Sequence, residues 1–261
     1  MSRVWMKINH SSLPLCLFLA IFLIPSDGRA ESPELSGFLE VDKRAIVSDG
    51  LSNGDTFGKL RLEVKHDVNP NLFLLAGAEI RYYDFPVLED LPSAGEIEGD
   101  YPVDVMLWEA YIELSPFVSE NLDLKIGRQR IAWGTADAFN PTDNLNPNDL
   151  TDFLDFEEKI PSLALKGSYY YEDYTITGVW LPLFEPALLP RGGTLALLGQ
   201  MPLTIEEPAR TLDNGMFALK LSGTVHTLDT SLSYFKGFDD FPIRLDASGL
   251  RLGFPEIQVL G

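Results

Sequence analysis

Residues 57–67 alternate without a break: Gly58, Leu60, Leu62 and Val64 on one side, Lys59, Arg61, Glu63, Lys65 and Asp67 on the other. Successive side chains of a strand point to opposite faces, so as a strand this run is apolar on one face and charged on the other. A helix would scatter the same charges around its circumference. The pattern recurs. Residues 72–84 set Leu72, Leu74, Ala76, Ala78, Ile80 and Tyr82 against a face holding Glu79 and Arg81. Residues 106–114 set Met106, Trp108, Ala110, Ile112 and Leu114 against Glu109, Tyr111 and Glu113, and Leu122, Leu124 and Ile126 alternate with Asp123 and Lys125. Weaker runs cover 35–44, 162–170, 175–181, 216–223 and 228–236, and 257–260 reads as the start of another. The expected fold is all-β, with about nine to ten antiparallel strands of roughly the length that crosses a membrane at a tilt.

The connections between these runs are sorted. Those at 68–71, 115–121, 172–174 and 224–227 are short. Those at 85–104, 132–161, 182–213 and 237–255 are long, and 47–55 is of medium length. Outer-membrane barrels alternate short periplasmic turns with long external loops, whereas a soluble sandwich has no reason to. In a barrel the apolar face touches lipid and the charged face lines the interior; in a soluble sheet the two roles reverse. Tyr82, Trp108 and Tyr169 are the expected interfacial aromatics. No later stretch is long and apolar enough for a membrane helix.

The first thirty residues read as a cleaved signal peptide: Arg3 and Lys7, an apolar core over 13–25, and Gly28 and Ala30 before Glu31. Residues 31–261 are then the barrel portion. Cleavage removes the single cysteine, Cys16, and with it any thiol or disulfide chemistry. The net charge of −19 argues against binding nucleic acid. Barrels normally have an even strand number and close on a terminal aromatic. Nine strands and a final Gly261 therefore read as a truncated chain.

Within residues 125–161 stand Gly127-Arg128-Gln129, Trp133-Gly134, Asn140-Pro141-Thr142-Asp143 and Ile160-Pro161, in that order. This block resembles an uncharacterised proteobacterial family of porin-like outer-membrane β-barrel proteins, a domain of unknown function. The resemblance implies a barrel with more strands than are present here and no established substrate.

No catalytic constellation stands out. There is no Gly-x-Ser-x-Gly elbow, no His-Glu-x-x-His and no phosphate-cradling loop, and only His66 and His226 follow the signal segment. No enzyme, metal or cofactor is expected. The expected interior lining is Lys59, Arg61, Glu63, Lys65, Glu79, Arg81, Glu109, Glu113 and Lys125. The expected constriction is the loop carrying Arg128, Arg130, Trp133, Asn140, Asp143, Asp149, Asp152 and Asp155, its aspartates facing wall cations with Arg128 and Arg130 as the obvious partners. Strict alternation from Ile126 turns both arginines outward, so that pairing requires a bulge near Gly127 or a position above the bilayer. A rival reading gathers Asn140, Asp143, Asn144, Asn146, Asn148 and Asp149 as calcium ligands, although turn formation accounts for such residues more simply. The acidic loop at 84–104 would concentrate cations at the mouth. The apolar loop at 182–213 would pack over it or meet lipid A chains, a hydrophobic substrate or a partner.

Function is therefore expected to be porin-like: passive passage or binding of small solutes in the outer membrane, among lipid and lipopolysaccharide. A closed structural or interaction barrel is the alternative, and a membrane-embedded hydrolase a third.

Overall fold

The computed structural model describes residues 32–47, 51–84, 103–134, 140–151, 157–188, 204–245 and 251–261. Residues 1–31, most of the acidic loop, Asp152 and Asp155 lie outside the described residues.

Ten strands form one antiparallel sheet. In sheet order they are β1 (Glu34–Val47), β2 (Leu51–Asn69), β3 (Leu72–Asp84), β4 (Val103–Leu114), β5 (Leu122–Gln129), β6 (Ser162–Tyr171), β7 (Tyr174–Leu181), β9 (Met216–Val225), β10 (Leu228–Phe238) and β13 (Glu256–Leu260). Each strand pairs with its predecessor in the sheet, as an up-and-down meander does. Short β8 (Thr204–Glu206), β11 (Ile243–Arg244) and β12 (Arg251–Gly253) form a separate small sheet in the long connections. The large sheet is not closed into a barrel: β1 and β13 are its two edges. No described helix is long and apolar enough to cross a membrane, which leaves crossing by strands untouched.

Turns of two residues join β2 to β3, β6 to β7 and β9 to β10, and residues 115–121 join β4 to β5 at the same end. The long connections all leave from the opposite end. The 47–55 link departs from the sequence reading. Pairing of β1 with β2 continues through Ala45–Asn53 to Val47–Leu51, so strand replaces most of the expected loop.

The two faces differ as the alternation requires. One face carries Leu39, Leu60, Ile80 and Val105 in register across β1 to β4. The same face carries Ile112, Ile126, Leu165, Trp180 and Phe217 across β4 to β9. All of these but Leu60 are substantially exposed. Tyr82 and Tyr169 also lie exposed there. This is the outer face. The other, the inner face, is covered by the chain between β5 and β6.

Trp108 breaks the expected pattern. Ala76 pairs with Ala110 but Ala78 pairs with Leu107, so β4 holds one extra residue opposite Gly77. This bulge reverses the alternation within β4. Val103, Val105 and Leu107 take the outer register, while Met106 and Trp108 turn inward. Trp108 is buried on the inner face, not placed at a lipid interface.

The inner face has two halves. Over β2 to β5 it is ionic. Over β6 to β13, near the long loops, it is an apolar cluster of Ala164, Val179, Leu181, Met216, Ala218 and Phe235 roofed by Ile131, Trp133, Leu145 and Phe184. Phe184 meets Phe254 and Phe238 with ring centroids 4.8 and 5.7 Å apart. Residues 182–188 of the apolar loop thus pack over the sheet end, whereas 205–213 are largely exposed; 189–203 lie outside the described residues.

Candidate functional site

All nine charged residues expected to line the interior share the inner face. Lys59 pairs in register with Arg81, Arg61 with Glu79, and Glu113 with Lys125. Glu79 sits at the centre. Its Oε2 accepts a hydrogen bond from Arg61 Nε at 2.7 Å and its Oε1 one from Arg81 Nε at 2.5 Å. Both Glu79 and Arg81 are fully buried. The guanidinium of Arg61 stacks on Trp108, its Cζ 3.6 Å from the ring centroid, which shows why the β4 bulge matters. Elsewhere Lys125 meets Glu113 at 2.8 Å and Lys65 meets Glu63 at 3.6 Å. Glu109 accepts the Arg130 backbone N–H at 2.6 Å.

The loop between β5 and β6 descends onto this cluster. Its two limbs are tied by a bridge between Asn148 and Lys159, by Asp149 N–H to Glu158 O at 2.9 Å and by Ile160 N–H to Pro147 O at 2.8 Å. Asp149 Oδ2 lies 2.5 Å from Arg81 Nη1, and Thr151 Oγ1 accepts from the same nitrogen at 3.1 Å. Glu158 takes Lys59 Nζ at 2.6 Å and Arg61 Nη2 at 3.3 Å. Lys59, Arg61 and Arg81 thus face Glu79, Asp149 and Glu158, three cations to three anions. Burying such groups costs desolvation that only good geometry and full pairing offset, so the cluster fixes where the loop sits more than it adds stability.

The pairing differs from the sequence reading in one respect. Asp149 does face a wall cation, Arg81, but Arg128 meets none of the described loop aspartates. Gly127 has φ +130°, yet β5 stays in continuous register with β4 and β6 and no bulge forms there. Arg128 therefore keeps the outer register of Ile126. Its guanidinium reaches Glu185 at 2.8 Å and the Leu107 carbonyl at 3.1 Å. Arg130, beyond the strand, approaches Asp143 at 3.7 Å.

The block that carries the family resemblance is the framework of this loop. Gln129 is buried and donates to the Ala164 carbonyl at 3.1 Å. Gly134 has φ +80°, and a Cβ there would strike Asn140 and Thr142. Asn140 donates to the Trp133 carbonyl at 2.8 Å and accepts from Thr142 Oγ1 at the same distance. Buried Asn146 accepts from Ile131 N–H at 2.8 Å and donates to Ile160 O at 3.0 Å. Asn148 donates to Asp240 at 2.8 Å. Asn144 donates to the Pro141 carbonyl at 3.1 Å, so each of the six Asn and Asp side chains weighed as calcium ligands has a protein partner of its own. The two histidines are also far apart. His66 is buried in β2, and His226 lies exposed in the β9–β10 turn, six strands along the sheet.

Glu158, Thr151 and Lys159 carry much of this arrangement and did not stand out in the sequence. Glu158 is one of several acids in an acidic run, and nothing local marks it as the partner of a lysine 99 residues away.

Burial is the main influence on Asp143 and Lys159. It raises the Asp143 carboxyl, with Lys159 and Arg130 pulling back, and lowers the Lys159 ammonium, with Asp143 and Asp240 pulling back. A raised carboxyl costs stability above its folded pKa, and the cost fades as pH falls past its unfolded value. A lowered ammonium costs stability below its folded pKa, and that cost fades as pH rises past its unfolded value. Wherever each is charged, its burial works against the fold. Asp143→Asn should abolish the first dependence: relative to the variant, the wild type gains stability on moving from neutral to mildly acidic buffer, as read from denaturant midpoints. A gap that is constant with pH would contradict this.

Residues 65–194 match the model of a family described as "Protein of unknown function (DUF1302)". The match includes Glu79, Arg81, Trp108, Asp149 and Glu158, and the whole of the β5–β6 loop. No curated protein matches the chain.

Proposed function

We propose that the chain is an exported outer-membrane protein whose sheet is part of a membrane-spanning β-barrel wall, and that small solutes pass the internal β5–β6 loop. One observation carries this reading: a single sheet whose apolar face is exposed along rows reaching from β1 to β9, while its charged face is covered by its own loop. A water-soluble monomer rarely exposes so large an apolar surface, and lipid is the environment that suits it. In a bilayer every backbone group needs a partner, so the reading requires that β1 and β13 each find a strand to pair with. The signal segment fits export, and lipid and lipopolysaccharide are the surroundings it implies. No catalytic step is part of the proposal.

A second reading is favoured by the balanced ion cluster and the apolar roof, which fill the inner face beneath the loop: a closed barrel that presents its loops to partners. Planar-bilayer recording separates the two. Stable conductance steps from the wild type, enlarged in Asp149→Asn/Glu158→Gln, are expected if the loop sets the passage. Silence from both proteins selects the closed barrel. Recovery of the processed protein as a folded monomer in the aqueous periplasmic extract, without detergent, would remove both.

A further inference from the structure

Every inner-face cation of β2 to β5 has a carboxylate partner: Lys59 and Arg61 on Glu158, Lys65 on Glu63, Arg81 on Glu79 and Asp149, Lys125 on Glu113. The other half of the sheet is built differently. β6, β7 and β9 contain no aspartate or glutamate, and the charges they set on the inner face are Lys166 and Lys220. Lys166 stands directly opposite Lys125 in register. Like charges directly opposite destabilise a strand pair; Glu113 pairs directly with Lys125 at 2.8 Å, whereas Glu113 and Asp123 act on Lys166 only from beyond ion-pair distance. No carboxylate lies within ion-pair distance of Lys166 or Lys220 among the described residues. The Lys220 ammonium instead lies 4.5 Å from the centroid of the Trp133 ring, under the loop.

Two hydroxyls occupy the ground between these lysines. Thr177 is opposite Lys220 on one side and Ser168 on the other, and the hydroxyl oxygens of Ser168 and Thr177 are 3.5 Å apart and buried. Lys166 and Lys220 are two strands and one inward-pointing position apart. Standard strand spacing makes that about 12 Å between Cα atoms, which two lysine side chains can span with a small ion between them. Lysine ammoniums and hydroxyls supply several donors, and oxygens of an anion are the acceptors that would use them all.

We propose that Lys166 and Lys220, with Ser168 and Thr177, form a binding site for a small oxyanion, a solute bearing phosphate or carboxylate. The site names the solute class of the passage proposed above and rests on that reading for its physiological role, but binding itself requires no open pore. Calorimetric titration of inorganic phosphate, and separately of succinate, into the detergent-folded full chain tests it. At least one probe should bind saturably at one site. Lys166→Gln/Lys220→Gln should weaken binding about tenfold or more, the scale of one lost charge-assisted contact. Lys166→Arg/Lys220→Arg should retain it, and Lys65→Gln should leave it unchanged. Absence of binding by both probes, or equal binding by the glutamine double variant with wild-type circular dichroism, overturns the site. Binding without conductance removes the passage and keeps the site; conductance without binding does the reverse.

Discussion

Glu79→Gln is expected to lower unfolding stability by about 3–5 kcal/mol, the scale for breaking a buried charge cluster by removing one member. Glutamine keeps the volume, so packing does not confound the result. What is lost is the negative charge that two guanidiniums share: Glu79 accepts from Arg61 at 2.7 Å and from Arg81 at 2.5 Å, with no exposure to solvent. Lys59, Arg61 and Arg81 would then face only Asp149 and Glu158, and one buried cation would remain uncompensated. Lys65→Gln is the control. Its partner Glu63 is 3.6 Å away and the Lys65 side chain is 39% exposed, so water screens the pair and about 1 kcal/mol or less is expected. Denaturant unfolding of both variants in the same detergent measures the difference. Equal costs would mean that water reaches Glu79 as freely as it reaches Lys65.

Gly127→Ala is expected to cost roughly 2–5 kcal/mol, from backbone strain and overpacking together. With φ at +130°, Gly127 adopts a conformation that side chains other than glycine rarely take. An added Cβ would run into the Ala110 carbonyl oxygen and come within 2.7 Å of Tyr111 Cα, both backbone atoms of the neighbouring strand that have no room to move aside. Strain at this point should also disturb Gln129, whose amide ties the start of the loop to β6. Gly178→Ala provides the comparison, because a Cβ there meets nothing within 4 Å. It should change stability by about 0.5 kcal/mol or less, the usual range for an open surface site. A Gly127 variant as stable as the Gly178 variant would show that the left-handed conformation is not needed.

Much of the architecture is legible in the order of residues alone. Period-two alternation locates the strands of the large sheet, although β2 starts earlier than its alternating run, and assigns the nine charged residues to one face, because the pleat leaves a strand no choice about where alternate side chains go. Alternation is silent about a single inserted residue. The bulge in β4 depends on how β3 lies beside it, and it turns Trp108 from the outer face to a seat beneath Arg61.

Which acid meets which base is likewise absent from the local sequence. Lys59 and Glu158 are 99 positions apart, and Arg81 and Thr151 are 70. An acidic run offers many carboxylates of similar chemistry, and only the path of the loop selects Asp149 and Glu158 from among them. Lys166 and Lys220 show the same division from the other side. Each is an unremarked lysine in its own strand, and only strand pairing sets Lys166 opposite Lys125 and Lys220 opposite Thr177. The chain by itself fixed strands and faces, since these follow from the geometry of one backbone. Neutralisation and its absence were decided in three dimensions, since a charge takes its energy from whichever neighbours folding brings within a few ångströms.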